Sequence, residues 1–313
     1  SHQLLTLERT YGVGRGNLNP ATGVPFTDAE IAAYAISTNW TKEFFREAVS
    51  TEHQFSIENQ GKLLSSYTSV NYLAQDGILK GTALKRFAIR NNLDGKSKND
   101  KFKYSTSLSM AFSKNNEAGS LGTGAVNRNY VLGAYTSAPY ISPSEYTGSQ
   151  QVLDLYRADG TLLYTPLFLI DKSKTYTNNT DEIRLIGSAQ ESYKILKNLT
   201  FLSRTSTEMI ETRFTQSENP ISFNALLFLN AAAQYGGFED INNRREANFN
   251  QLWQLDYNFT IAEKNKISLS AFSEYNFAQL NLNNTRQRGL DPATFVPGTG
   301  AGYLPDIATH DFY

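Results

Sequence analysis

A chain of 313 residues with a formal net charge of −1 offers no electrostatic footprint for nucleic acid, whose protein partners are strongly basic. With no cysteine, disulfides, thiolate nucleophiles and cysteine-based zinc sites are all excluded. No apolar run reaches the roughly 18–20 residues of a membrane helix, the longest candidate being 225–233, so a membrane-spanning form has to be a closed barrel.

Ser1-His2-Gln3 has no Met, charged start or apolar core, which fits a processed chain or one that begins partway along a longer polypeptide. Residues 1–52 read as an irregular or helical lead-in. Tyr11-Gly12-Val13-Gly14-Arg15-Gly16 has the glycine density of a phosphate loop, but it follows no strand and opens no helix, so it reads as a flexible loop. Thr27-Asp28-Ala29-Glu30 is a capping-box pattern and predicts a short helix to about Ala35. Residues 40–48, with Trp40, Phe44 and Phe45 toward one side, predict a second, docking helix.

From His53 the apolar period changes to two, the signature of half-buried strands. Val70 and Tyr72 lead into a polar loop centred on Gln75-Asp76-Gly77. On the way out, Phe87, Ile89 and Leu93 share one parity, while Ala88, Arg90, Asn92 and Asp94 share the other. The cleanest alternation follows: Phe102, Tyr104, Thr106, Leu108, Met110 and Phe112 against Lys103, Ser105, Ser107, Ser109 and Ser113. A long connection at about 115–180 comes next, with Asp159-Gly160 suggesting a small hairpin inside it. Strands return at 183–193 and 199–213, and a second long connection, about 214–245, carries a short helix near 223–233. A last pair at 249–261 and 267–277 precedes an irregular segment or loop at 281–313.

This makes eight strands across 53–280, arranged as four hairpins with short turns. Most links between hairpins are long. Short turns at one end and long loops at the other are the layout of an outer-membrane barrel, whose strands need about 9–11 residues to cross. Phenylalanine, tyrosine and tryptophan near the strand ends fit interfacial girdles. The fold class expected is all-β, a segment of a large antiparallel transmembrane β-barrel with long extracellular loops and short periplasmic turns. The competing expectation is a soluble or cell-surface structural or adhesive β-sheet protein, with the apolar stripe packed on a second sheet.

Three spaced stretches resemble the SusC/RagA-like TonB-dependent transporters. The first is TDAEIAAYAISTNWTKEFFREA, the second YLAQDGILKG and the third LKRFAIRNNLDGK. Matching positions are Trp40, Phe45 and Arg46; Tyr72, Gln75, Gly77, Ile78 and Gly81; and Lys85, Arg86, Arg90, Asn92, Leu93 and Asp94. TPLFLIDKSKTYTNNTDEIRLIGSAQESYKILKNLTF resembles a later strand pair of that family, and from about 214 only composition and strand rhythm match. Asn59-Gln60-Gly61 stands where the family usually has a glycine pair. Family barrels have about 22 strands, the plugged size class, and the family's plug and TonB box have no counterpart among these residues, so the resemblance implies part of a transporter. It implies an outer-membrane nutrient importer for an oligosaccharide or peptide, with a SusD-like surface lipoprotein as lid, TonB as energy-coupling protein and the lipid bilayer as surroundings.

Under that resemblance Arg90, Asn92, Asp94, Gln254 and Asp256 are lumen-facing candidates. Tyr130, Tyr135, Tyr140 and Tyr146 are loop aromatics that either stack on a sugar, meet the lid or pack within the loops. No enzyme chemistry is expected. His2, His53 and His310 are isolated, no G-x-S-x-G motif occurs, and no catalytic residue, cofactor or metal site is assigned. Asp154, Asp159 and Asp171 lie in a loop, where solvated charge is the expectation and a calcium site a minor alternative.

Overall fold

The computed structural model describes residues 1–118, 129–159, 162–229, 236–262, 265–291, 293 and 302–312. Four short helices come first: α1 (His2–Tyr11), α2 (Gly14–Asn17), α3 (Asp28–Ala33) and α4 (Trp40–Phe44). Strands β1 (Ser50–Gln60), β2 (Leu64–Asp76), β3 (Ala83–Lys96) and β4 (Phe102–Asn116) follow. Helices α5 (Tyr130–Thr136), α6 (Ser149–Asp159) and α7 (Thr165–Thr175) fill the next connection. Strands β5 (Tyr176–Leu196) and β6 (Leu199–Glu218) then lead to α8 (Phe223–Phe228). The chain continues with β7 (Phe238–Ile261), β8 (Asn265–Arg288) and β9 (Gly302–Phe312).

All nine strands form one antiparallel sheet, each beside its neighbour in sequence. The turns after β1, β3, β5 and β7 lie at one end of it. The connections after β2, β4, β6 and β8 lie at the other, where β1 also starts, opposite Gln75. The lead-in helices therefore sit at the long-loop end. Thr27 and Glu30 form the expected capping box, which starts α3. The Asn39 side chain caps α4, and α4 stops at Phe44 rather than near residue 48 because Phe45 is drawn into a β-bridge with Leu79.

The sheet differs from the sequence expectation in extent. It begins at Ser50 rather than His53, β5–β8 run 20–24 residues, and a ninth strand occupies part of the segment expected to be irregular. The long connections shrink accordingly to 117–175 and 219–237. The cause is physical: in stretches such as Asn281–Arg288 both faces are polar, so alternation vanishes while the backbone ladder with β7 continues. The turn expected at Asp159-Gly160 falls on Gly160, outside the described residues; the chain on either side is helical, with α6 running to Asp159 and a 3₁₀ turn at Leu162–Tyr164. Val152 and Leu153 on α6 are buried against other helices, a 3.6-residue pattern masked by the surrounding glycine, serine and tyrosine.

The apolar core lies outside the sheet. Leu5, Phe26, Ile31, Trp40, Phe44, Tyr140, Ile141, Leu153, Leu167, Phe168 and Phe223 form one buried cluster with Leu79 of the β2–β3 loop. This helical cap sits on the long-loop end. The described side chains of β1–β8 are exposed or half-exposed, apart from Asp240, Gln251 and Gln287.

Candidate functional site: two sheet faces and a capped mouth

Strand register sorts the side chains into two faces. On one, Phe87, Ile89, Leu108, Met110, Phe112, Leu185, Met209, Phe249, Trp253, Leu255, Tyr257, Ile267 and Leu269 lie in registered rows. The other face carries Arg90, Asn92, Ser107, Ser109, Arg184, Gln190, Arg204, Glu208, Asn250 and Gln254. Gln251 is the main polar intrusion on the apolar side. It is buried there, accepting from Thr205 Oγ1 at 2.5 Å and donating to Ser203 Oγ at 3.1 Å, so its amide is satisfied without water.

The edges of the apolar face give the strand tilt. Toward the cap, the last apolar residue on β4 is Phe112, whose row reads Ile183, Glu211, Arg245 and Asn281 across to β8. On β8 the last is Phe277, four residues lower. Toward the turns, Phe102 shares a row with Tyr193, Phe201, Leu255 and Ala271, and β8 stays apolar four residues further, to Ile267. Both edges thus descend together by about 13 Å over four inter-strand steps of about 4.8 Å each, a tilt of about 35°. Barrel strands in outer membranes are tilted by about 35–45°. Along β4, Phe102 to Phe112 covers about 33 Å of strand, or about 27 Å across the belt at that tilt, which matches the roughly 25 Å apolar band of such barrels.

The positions that carried the family resemblance separate into two groups. Trp40, Phe45, Arg46, Gly77, Ile78 and Gly81 converge at the mouth. Trp40 stacks on Phe44 with ring centroids 5.6 Å apart and donates Nε1–H to the Ala138 carbonyl at 3.0 Å. Arg46 then latches the β2–β3 loop. Its backbone N–H reaches Ile78 O at 2.8 Å, Nε donates to Gly77 O and Nη2 to Thr82 O, both at 3.1 Å, and Nη2 pairs with Asp76 at 3.1 Å. A Cβ at Gly77 would lie 1.9 Å from Thr82 Oγ1, so the tight loop requires glycine there, and Gly81 has φ 87°. Lys85, Arg86, Arg90, Asn92, Leu93 and Asp94 descend β3 instead. Tyr72 stands opposite Phe87 on the apolar face, and Gln75 stands opposite Leu84 on the polar one.

Arg90, Asn92, Asp94, Gln254 and Asp256 all share the polar face, on strands far apart in the sheet. Asn92 Oδ1 accepts from Ser107 Oγ at 2.9 Å, and Asp256 Oδ1 accepts from Gln254 Nε2 at 2.8 Å and Ser270 Oγ at 2.6 Å. The loop tyrosines fare differently. Tyr130 and Tyr140 are buried in the cap core, and Tyr146 is half-buried, donating to Asp171 at 2.9 Å. Burial, with the Asp171 charge and hydrogen bond, pushes the Tyr146 phenol up to about 12. Only Tyr135, 76% exposed, stays available for an outside partner; the other three pack within the cap.

Two features of the cap were invisible in the sequence. Asp171, expected to be solvated, is buried and accepts from Tyr146, from Ser149 Oγ at 2.5 Å and from the Phe223 N–H at 2.9 Å. It thereby ties α7, α6 and α8 together. Arg15, in the glycine-rich stretch read as flexible, is also buried, and grips Glu145 through two bonds of 3.1 and 2.7 Å. Burial opposes its charge, but the bonds to Glu145 and Tyr34 outweigh that and hold its pKa above the ordinary arginine value. Gly16 lets α2 approach α1, since a Cβ there would lie 2.1 Å from Leu5 O. That loop is a packing junction.

The sheet and its faces define a segment of a large antiparallel β-barrel, and comparison with known proteins narrows the class. In sequence, 199 residues are 26% identical to the TonB-dependent receptor SusC of Bacteroides thetaiotaomicron, covering 60% of this chain and 20% of that protein. In fold, the chain matches the RagAB peptide importer in its closed-closed state with a TM-score of 0.65 at 17% identity, covering 88% of this chain and 30% of that one. The open-open state gives a TM-score of 0.65 at 16% identity over 95% and 32%. The chain is thus SusC/RagA-like in sequence and fold, and spans less than a third of the length of these relatives. No protein-family model matches it.

Proposed function

We propose that this chain supplies part of the wall and extracellular mouth of a TonB-dependent outer-membrane importer for a nutrient of the oligosaccharide or peptide class. The tilted apolar belt carries this reading: a face with both edges inclined at about 35° suits lipid, whereas a sandwich interior has no reason to be tilted or aromatic-edged. The polar face, with Arg90, Asn92, Asp94, Gln254 and Asp256, then lines the lumen. The cap lies outside the cell, where Tyr135 is available to a SusD-like lipoprotein lid, and TonB couples energy from the periplasmic side. The named relatives are a receptor and a peptide importer, which supports transport over catalysis. Among the described residues no group of three or more His, Cys, Asp or Glu is placed to hold a metal ion.

Detergent extraction of the full-length protein from fractionated membranes tests this. It should stay with the outer membrane through high salt and carbonate and leave only with detergent. Partition into buffer without detergent would remove the importer reading and favour the structural or adhesive one.

A further inference from the structure

We propose that the cavity beneath the cap is a binding site for an uncharged, hydroxyl-rich ligand of the oligosaccharide class. The proposal deepens the importer reading, on which its biological setting rests, but the site itself is defined by the cap-side ends of β2–β6 and the β2–β3 loop. The cavity measures about 670 Å³, within the roughly 300–1,000 Å³ of small-molecule sites. It opens on the polar face at the long-loop end. Five primary amides line it: Gln75, Asn115, Asn116, Asn178 and Gln216.

Amide side chains present donors and acceptors together, as sugar hydroxyls do. Phe214 adds an aromatic ring to the lining, a surface for the C–H face of a pyranose.

Charge argues the same way. Among the described residues that line it there is no Lys or Arg. Its two carboxylates are engaged, Asp76 by Arg46 at 3.1 Å and Glu117 by Asn115 Nδ2 at 2.6 Å. Asp240, opposite Gln216 on β7, is met by Arg286 at 3.1 Å and Arg288 at 3.8 Å. Among the described residues a ligand carboxylate would find no cation here that is not already paired, and desolvating it unpaired is costly. Charge resumes two residues toward the turns, at Arg86 and Glu182. The cavity at the turn end, about 420 Å³ and lined by Lys62, Lys96, Lys103 and Asp94, has the opposite character.

Isothermal titration of the full-length protein in detergent provides the test. The probes are neutral hexasaccharides of gluco, manno and xylo configuration, a hexapeptide with free termini, and the same peptide acetylated and amidated. At least one hexasaccharide should bind, and Phe214→Leu and Gln216→Ala should each weaken it by about tenfold or more. Leu132→Ser, on the outer cap surface, should leave it unchanged, and all variants should keep the parent sheet signal in circular dichroism. The proposal fails if no hexasaccharide binds, if either peptide binds in preference, or if sugar binding ignores both cavity substitutions. Sugar binding by a protein that extracts without detergent would leave this site standing and remove the importer reading. Membrane residence with peptide-only binding would do the reverse.

Discussion

The sheet and the cap are held together by different physics. In the sheet, continuous ladders of backbone hydrogen bonds join strands of up to 24 residues, yet the described residues cover neither face. In the cap the helices are short, of four to eleven residues, below the length at which isolated helices persist in water. They persist because seventeen residues share one apolar cluster, with Asp171 and Arg15 as satisfied polar ties. The cap therefore carries its own core, whereas on the proposed reading the sheet has lipid on one side and the lumen of a larger barrel on the other. An open nine-stranded sheet in water would expose its edges to other chains.

Substitutions at four positions sharpen that contrast. Trp40→Ala removes a buried aromatic and its bond to Ala138, and should cost the cap about 3–5 kcal/mol. Hydrogen exchange should then show lost protection across α5–α7 with the strands unchanged; equal loss in both would mean that cap and sheet unfold as one unit. Leu108→Arg, at the centre of the apolar face, should cost about 2–4 kcal/mol of stability in a bilayer. Ser107→Arg, one residue away on the polar face, should be tolerated, and equal effects in denaturant titrations would invert the assignment of the faces. Arg46→Ala breaks the latch between the two regions. With Arg46 about a third exposed, the loss should be about 1–2 kcal/mol, and Arg46→Lys should recover little because only the guanidinium fork reaches both Gly77 and Thr82. Faster proteolysis confined to the β2–β3 loop is the readout.

The resemblance motif shows why part of the site was readable in advance. Arg90, Asn92 and Asp94 share a face because a strand alternates with period two, which holds wherever the strand goes. Gln254 and Asp256 could be assigned to the same face for the same reason, since register keeps parity from strand to strand up to a bulge at Lys194 and Leu196 beside the β5–β6 turn. The loop tyrosines followed no such rule. Tyr130 and Tyr140 are internal because α1, α4 and the β4–β5 connection meet at the mouth, which no local pattern announces.

By itself, then, the sequence determined the strands, their pairing in order, the two faces and the separation of short turns from long connections. These depend on near-neighbour physics: side-chain alternation, turn chemistry and helix capping. Only the tertiary structure decided the ninth strand, the burial of Asp171 and Arg15, the Arg46 latch and the amide-lined cavity. Apart from the ninth strand, which pairs with its sequence neighbour β8, these depend on residues distant in the chain: Arg15 and Glu145 lie 130 apart, and the cavity draws on residues from Gln75 to Gln216. Such contacts are selected by the energy of the assembled whole, and no window of sequence contains both partners.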